Sequence, residues 1–274
     1  MPQNETLANG TNATGQLRKK LAERLYHALR DGKTIEPLTR SEQISVEDAY
    51  HISLAMLERR LNDGERLIGK KIGVTSKPVQ EMLGVHQPDF GFLTDRMHFA
   101  DGASVSLRGA NLIQPRAEGE IAFILKHDLK GPGVTREMVL QATQAVLPCF
   151  EIVDSRIQDW QIAIQDTIAD NASCGVFVLG RAEVDPNSLD LALARLDMYR
   201  NGEAHSSGLG SAVQGHPAEA VAWLANTLGE FDMPLRAGEI ILSGSLVPLV
   251  PVQAGDYFEL TIQGIGSASI SFTE

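Results

Sequence analysis

Cysteine is nearly absent from this chain: Cys149 and Cys174 are the only two among 274 residues, and both lie in apolar segments. That excludes a disulfide framework and predicts two buried thiols in a reducing, cytoplasmic setting. Basic residues are outnumbered, 24 Lys and Arg against 35 Asp and Glu, for a net charge of −11. With no basic cluster beyond short pairs, nucleic acid and anionic membrane are not expected partners. No apolar run approaches the ~20 residues of a bilayer-spanning helix. Residues 1–15 are polar and lack an apolar signal core, so secretion is not expected, and the Asn-x-Thr triplets at Asn4, Asn9 and Asn12 read as chance matches.

Familiar catalytic signatures are missing as well. Gly208-Leu209-Gly210 and Gly264-Ile265-Gly266 begin like a dinucleotide fingerprint, but Val213 and Ser269 stand where its third glycine belongs. There is no Walker motif, no H-E-x-x-H and no G-x-S-x-G elbow. The histidines are scattered without ligand spacing, so zinc is not the expected metal. No period of 20–50 residues recurs, which argues against solenoids and propellers.

What remains is an ordinary globule, 43% hydrophobic and 22% charged. The reading divides it into a flexible tail over 1–15, a helical part over 16–66 and a β-rich core over 67–274, the last two forming one continuous domain. Leu17, Leu21, Leu25 and Leu29 have helical spacing. Ser45 followed by Asp48 resembles a capping box that opens a helix to about Asn62, with a stop at Gly64. A helix is predicted from about Thr135 to Val146 and another over Pro217–Leu228. The last third is mostly β, with Asn201-Gly202 as a hairpin turn.

The chemistry centres on Gln114-Pro115-Arg116-Ala117-Glu118-Gly119-Glu120-Ile121-Ala122-Phe123-Ile124-Leu125. Alternation after the proline predicts a strand. Arg116, Glu118, Glu120 and Ala122 then share one face, the two carboxylates ~6–7 Å apart. Such a pair repels, and something cationic should face it. Glu151, in the apolar run Leu147–Val153, adds a third acid from a second strand. Three carboxylates make a hard, open-sided oxygen site suited to Mg²⁺ or Mn²⁺. The alternative is an amphipathic strand that turns two glutamates to solvent. In Gly69-Lys70-Lys71-Ile72-Gly73 the lysines point opposite ways, one outward and one inward, and an inward lysine invites a lowered pKa. Two surface lysines are the alternative there. His86–Gly91 reads as a turn carrying Asp89, and Ala169–Gly175 as a small-residue loop.

Gly69–Thr75, Gln87–Gly91, Gln114–Glu120, Asp154–Ile157 and Ala169–Ser173 occur in that order. Together they resemble the 2-hydroxypenta-2,4-dienoate (2-oxopent-4-enoate) hydratases of meta-cleavage pathways, in the fumarylacetoacetate hydrolase superfamily. The likeness runs from about residue 16 to the end. It implies an α+β fold, a rolled mixed β-sheet core with N-terminal helices, as a homo-oligomer. It also implies a Mg²⁺ or Mn²⁺ site held by Glu118, Glu120 and Glu151, with Lys71 and Asp89 catalytic and Ser173 and Arg156 binding substrate. Fumarylacetoacetases add an aspartate ligand earlier in the chain. It has no counterpart here, which argues against C–C hydrolysis.

The implied reaction protonates the 2-hydroxydienoate at C5 to give a conjugated ketone, which water attacks at C4 to form 4-hydroxy-2-oxopentanoate. A divalent ion would stabilise dienolate charge, and groups with pKa values near the working pH would move the protons. Lys71 is the first candidate for that work and Asp89 the second. The rival readings are a 4-oxalocrotonate decarboxylase, with the same metal site, and a non-catalytic subunit that binds and organises a partner enzyme; association with a 4-oxalocrotonate decarboxylase is a further expectation.

Overall fold

A computed structural model of the chain describes residues 4–274, with side chains from residue 14 onward. Three helices come first: α1 (Asn4–Asp31), α2 (Leu38–Ser41) and α3 (Val46–Asn62). There follow β1 (Leu67–Gly73), α4 (Lys77–Leu83), β2 (Asp89–Thr94), β3 (His98–Ala100), β4 (Ala103–Ser106) and β5 (Arg116–Leu125). The middle holds α5 (Arg136–Ala142), β6 (Thr143–Val153), α6 (Ile164–Ala169) and β7 (Cys174–Leu179). The chain ends with β8 (Arg195–Arg200), β9 (Glu203–Leu209), α7 (Pro217–Gly229), β10 (Ile240–Ser245), β11 (Val250–Pro251), β12 (Tyr257–Ile262) and β13 (Gly266–Thr273).

The strands form two mixed sheets, which makes the fold α+β as expected. The larger runs β2-β1-β10-β5-β6-β7-β3, with β11 also paired to β5; the smaller runs β4-β13-β12-β8-β9. In the larger sheet β1 and β10 are parallel, as are β3 and β7, while β5 and β6 are antiparallel along their whole length. The odd residues of β5, Ile121, Phe123 and Leu125, join the main core with the inner faces of the helices. On the other face Ala122 joins a smaller cluster of Leu93, Met97, Cys149, Cys174, Phe177 and Leu242. The period-two alternation of β5 therefore separates two environments, and the acids fall on the side of the smaller one.

Several local expectations meet the structure closely. Ser45 Oγ accepts from Asp48 N at 3.0 Å while Asp48 Oδ2 accepts from Ser45 N at 2.9 Å, a full capping box at the start of α3. Asn201 and Gly202 both have positive φ, +55° and +82°, as a tight hairpin turn between right-twisted strands requires. Cys149 and Cys174 are buried and unpaired.

Other expectations need correction. Helix α1 already starts at Asn4, inside the predicted tail, although its buried stripe begins only at Leu21; Met1–Gln3 lie outside the described residues. Helix α5 stops at Ala142, because Thr143 onward pairs with β5, from Thr143↔Leu125 to Val153↔Arg116. Asp89 does not sit in a turn. It opens β2, every residue of which is buried. Lys70 does not reach solvent either: it is 2% exposed and donates to both oxygens of Glu239 at 2.6 Å.

Candidate metal-centred active site

Antiparallel pairing brings the acids together. Glu118 on β5 is the register partner of Glu151 on β6, and Glu120 is opposite Cys149. Directly paired residues hold their Cβ atoms ~4.5–5.5 Å apart on one face. One carboxylate oxygen from each of Glu118, Glu120 and Glu151 lies within 4.8 Å of the other two. Glu120 and Glu151 are fully buried. The solvent-facing strand is thereby excluded.

The neighbouring strands supply the rest of the wall. Lys71 on β1 is opposite Leu242 of β10 and Gly91 of β2, and its Nζ is 3.2 Å from Glu151 Oε1. Asp89, first in β2, pairs in register with Gly73. A Cβ at Gly73 would overlap Asp89 Oδ1 and come within 3.2 Å of Lys71 Nζ. Glycine is needed there so that lysine and aspartate can share the space. A register shift in β10 between Leu242 and Ser245 turns Gly244 N toward Glu120 Oε2, to which it donates at 2.9 Å.

The electrostatics of this wall are severe. Burial, then the charge of Glu151, pushes Glu118 up to about 8. Glu120 is pushed well up by burial and then by the charges of Glu151 and Glu118. Burial pushes Asp89 up to about 6 against the pull of Lys71. Lys71 departs from the sequence expectation. Burial works to discharge it, yet Glu151, Asp89 and Glu118 together raise it above its ordinary value. Cys174 and Cys149 are held as thiols, by burial first and then by the glutamates.

Five buried carboxylate oxygens here have no hydrogen-bond partner among the described residues: Glu120 Oε1, both of Glu151 and both of Asp89. Orphaned buried acceptors are rare, because each carries its full desolvation penalty. A hard divalent cation held by Glu118, Glu120 and Glu151 would satisfy this donor set, so the residues fit such an ion.

Arg156 and Ser173 behave differently. Arg156 is 1% exposed, and its guanidinium donates to Asp170 Oδ1 at 2.6 Å, Asp170 O at 2.6 Å and Cys174 O at 3.1 Å. These bonds, to the Asp170 carboxylate and to the backbone carbonyls of Asp170 and Cys174, brace that segment. Ser173 is buried, with Oγ 3.1 Å from Thr167 Oγ1, and no hydrogen bond joins it to the acids. The segment itself is strained and pinned. Asn171, Ala172 and Ser173 all have positive φ, and the Asn171 side chain both accepts from Phe92 N at 2.8 Å and donates to Phe92 O at 3.0 Å.

Sequence reasoning missed Tyr50 and Cys174. Tyr50, on α3, stacks on Phe90 at 4.4 Å, and its phenol is raised by burial and then by the charge of Asp89. Helical spacing marks Tyr50 only as a core position, and nothing local ties it to a strand 39 residues later. Cys174 follows the small-residue segment and touches Glu151 only because β7 pairs with β6.

Known proteins resemble this chain over most of its length. Residues 68–272 match the fumarylacetoacetate (FAA) hydrolase C-terminal family. A 2-hydroxyhexa-2,4-dienoate hydratase of Comamonas testosteroni is 70% identical over 253 residues, 92% of this chain and 96% of that one. A 2-hydroxypent-2,4-dienoate hydratase of Pseudomonas putida is 62% identical over 215 residues, 78% of this chain and 96% of its own length. Among solved structures, 4-oxalocrotonate decarboxylase from Pseudomonas putida G7, complexed with magnesium and adipate, superimposes with a TM-score of 0.91. It is 34% identical, over 94% of this chain and 97% of that one.

Proposed function

This chain belongs to the fumarylacetoacetate hydrolase family, and on that footing we propose that it is a hydratase of aromatic meta-cleavage catabolism. It adds water to 2-hydroxypenta-2,4-dienoate (2-oxopent-4-enoate) to give 4-hydroxy-2-oxopentanoate. The observation that carries the reading is the convergent trio Glu118, Glu120 and Glu151, the last two buried, faced by Lys71 and Asp89, in a chain 70% and 62% identical to two dienoate hydratases. Those relatives are named for dienes that differ by one carbon, so the methylated diene belongs to the same reading.

Glu118, Glu120 and Glu151 would hold Mg²⁺ or Mn²⁺, which when bound supplies Lewis-acid stabilisation of negative charge on a 2-oxo acid. The chain's own residues handle the protons. Lys71 enters charged, since three acids hold its proton, and its Nζ is the leading donor toward C5. Asp89, with a pKa of about 6, is suited to take a proton from the water that attacks C4 near neutral pH. Burial of both groups keeps bulk water from competing for those protons. Ser173 is retained as a substrate contact reached by a hydroxyl rotation away from Thr167. A single continuous domain over 16–274, a homo-oligomer, cytoplasmic location and association with a decarboxylase complete the proposal.

Chelation provides the test. The purified chain should consume the dienoate, lose that activity with EDTA, and regain it with Mg²⁺ or Mn²⁺. Release of CO₂ from 4-oxalocrotonate with no hydration would establish the decarboxylase instead. Inertness toward both substrates would point to a partner subunit.

A further inference from the structure

Along the acid face of β5, exposure falls in one direction. Arg116 and Glu118 are half-buried, whereas Glu120 and Ala122 are 0% exposed. The Arg116 end is therefore the mouth of the site, and the apolar cluster around Ala122 is its closed floor. The mouth carries a cation. Its guanidinium carbon is 4.4 Å from the Trp160 ring centroid, and no described carboxylate forms an ion pair or hydrogen bond with it. Trp160 is itself fixed, with Nε1 donating to Gln114 O at 3.1 Å and a φ of +55° that few non-glycine residues adopt.

We propose that Arg116, held against Trp160 at the rim of the acid face, is the residue that recognises the substrate carboxylate. This rests on the hydratase reading and deepens it. An anionic 2-oxo acid approaching this chain meets a net charge of −11 and a wall of four acids. A rim cation within a Debye length of the entrance, ~8 Å at physiological salt, offsets that repulsion locally. Arginine suits the task because its planar fork grips a carboxylate with two parallel hydrogen bonds while its face stays stacked on the indole. The stack also fixes the rotamer in advance, so less entropy is lost on binding. Lys71 is spoken for by Glu151, and Arg156 by Asp170. Neither is free to receive the incoming anion.

The test compares wild type with Arg116→Gln and Arg116→Lys in the Mg²⁺-loaded protein, following both dienoate hydration and pyruvate binding by calorimetry. Arg116→Gln should raise KM and weaken pyruvate about tenfold or more, with kcat within about twofold. It should also flatten the fall of kcat/KM with ionic strength, and Arg116→Lys should recover part of each loss. Unchanged KM and pyruvate affinity would overturn the proposal. So would a fall in kcat with unchanged KM and a lower thermal midpoint, which would make Arg116 a brace for Trp160. If wild type binds pyruvate through Arg116 yet hydrates no diene, the hydratase reading fails and this one stands.

Discussion

Lys71 and Lys70 are chemically identical neighbours on one strand, both all but fully buried, and the structure separates their roles. Lys70 faces one acid and is lowered by burial despite it; Lys71 faces three and is raised. Counting charges on each face of β1 accounts for the difference, and no property of the tripeptide around them does. Lys71→Met removes the cation opposite Glu151 and Asp89 and with it the proton donor we propose. We expect kcat to fall by about 10² or more, with metal content by elemental analysis unchanged. The metal-free variant should also melt earlier than metal-free wild type, because its acids face one another unrelieved. Normal turnover would remove lysine from the mechanism. Glu118 and Glu120 were legible as a pair because strand period is strictly two. Lys71 was legible as a candidate, but its charge state was not, since that depends on Asp89, Glu118 and Glu151, which lie 18 to 80 residues further along the chain.

At the scale of an element, the segment between α6 and β7 is the clearest case of a structure held in place by buried polar groups. Arg156 grips its backbone from below, Asn171 pairs with β2 like a short rung of ladder, and Asp154 N donates to Ser173 O at 2.7 Å. Burial pushes Asp170 up to about 6 even beside Arg156, so the pair is desolvated and its strength depends on keeping both members. Removing one leaves an uncompensated charge in the interior. Arg156→Met is expected to lower unfolding stability by about 3–5 kcal/mol, read from urea midpoints at constant m. A loss below about 1 kcal/mol together with a raised KM would return Arg156 to the substrate. Sequence pattern marked Ala169–Ser173 as a loop because small and polar residues interrupt apolar runs. Its three consecutive positive φ values and its burial follow from contacts with β2 and β6, which composition does not encode.

For the whole molecule, the acid wall is expected to tie folding to pH and, through the proposed ion, to metal. Glu118 titrates at about 8 in the folded, metal-free chain against an ordinary 4.5, and Asp89 at about 6 against 3.8. Their folded pKa values are raised, so the unfolded chain releases these protons first as pH rises. Their contribution to stability is thus full below about pH 4 and lost progressively toward pH 8. Cation binding opposes this, because it needs the carboxylates deprotonated and grows stronger over the same interval. The gap in thermal midpoint between Mg²⁺-loaded and EDTA-treated protein should therefore widen from pH 5 to pH 8. A gap independent of pH would mean that the acids are not coupled to the ion.

By itself the sequence determined which side chains of a strand can share a face, that Ser45 caps a helix and that Asn201-Gly202 turns a hairpin. Those properties depend on neighbours within a few residues, through strand and helix periodicity, capping and turn geometry. Only the tertiary structure decided that Glu151 lies opposite Glu118, that Asp89 opens a strand and shares space with Lys71, and that Arg156 turns inward to Asp170. Strand order and register are set by burying two apolar faces at once across the whole sheet, and no local stretch of chain carries that information.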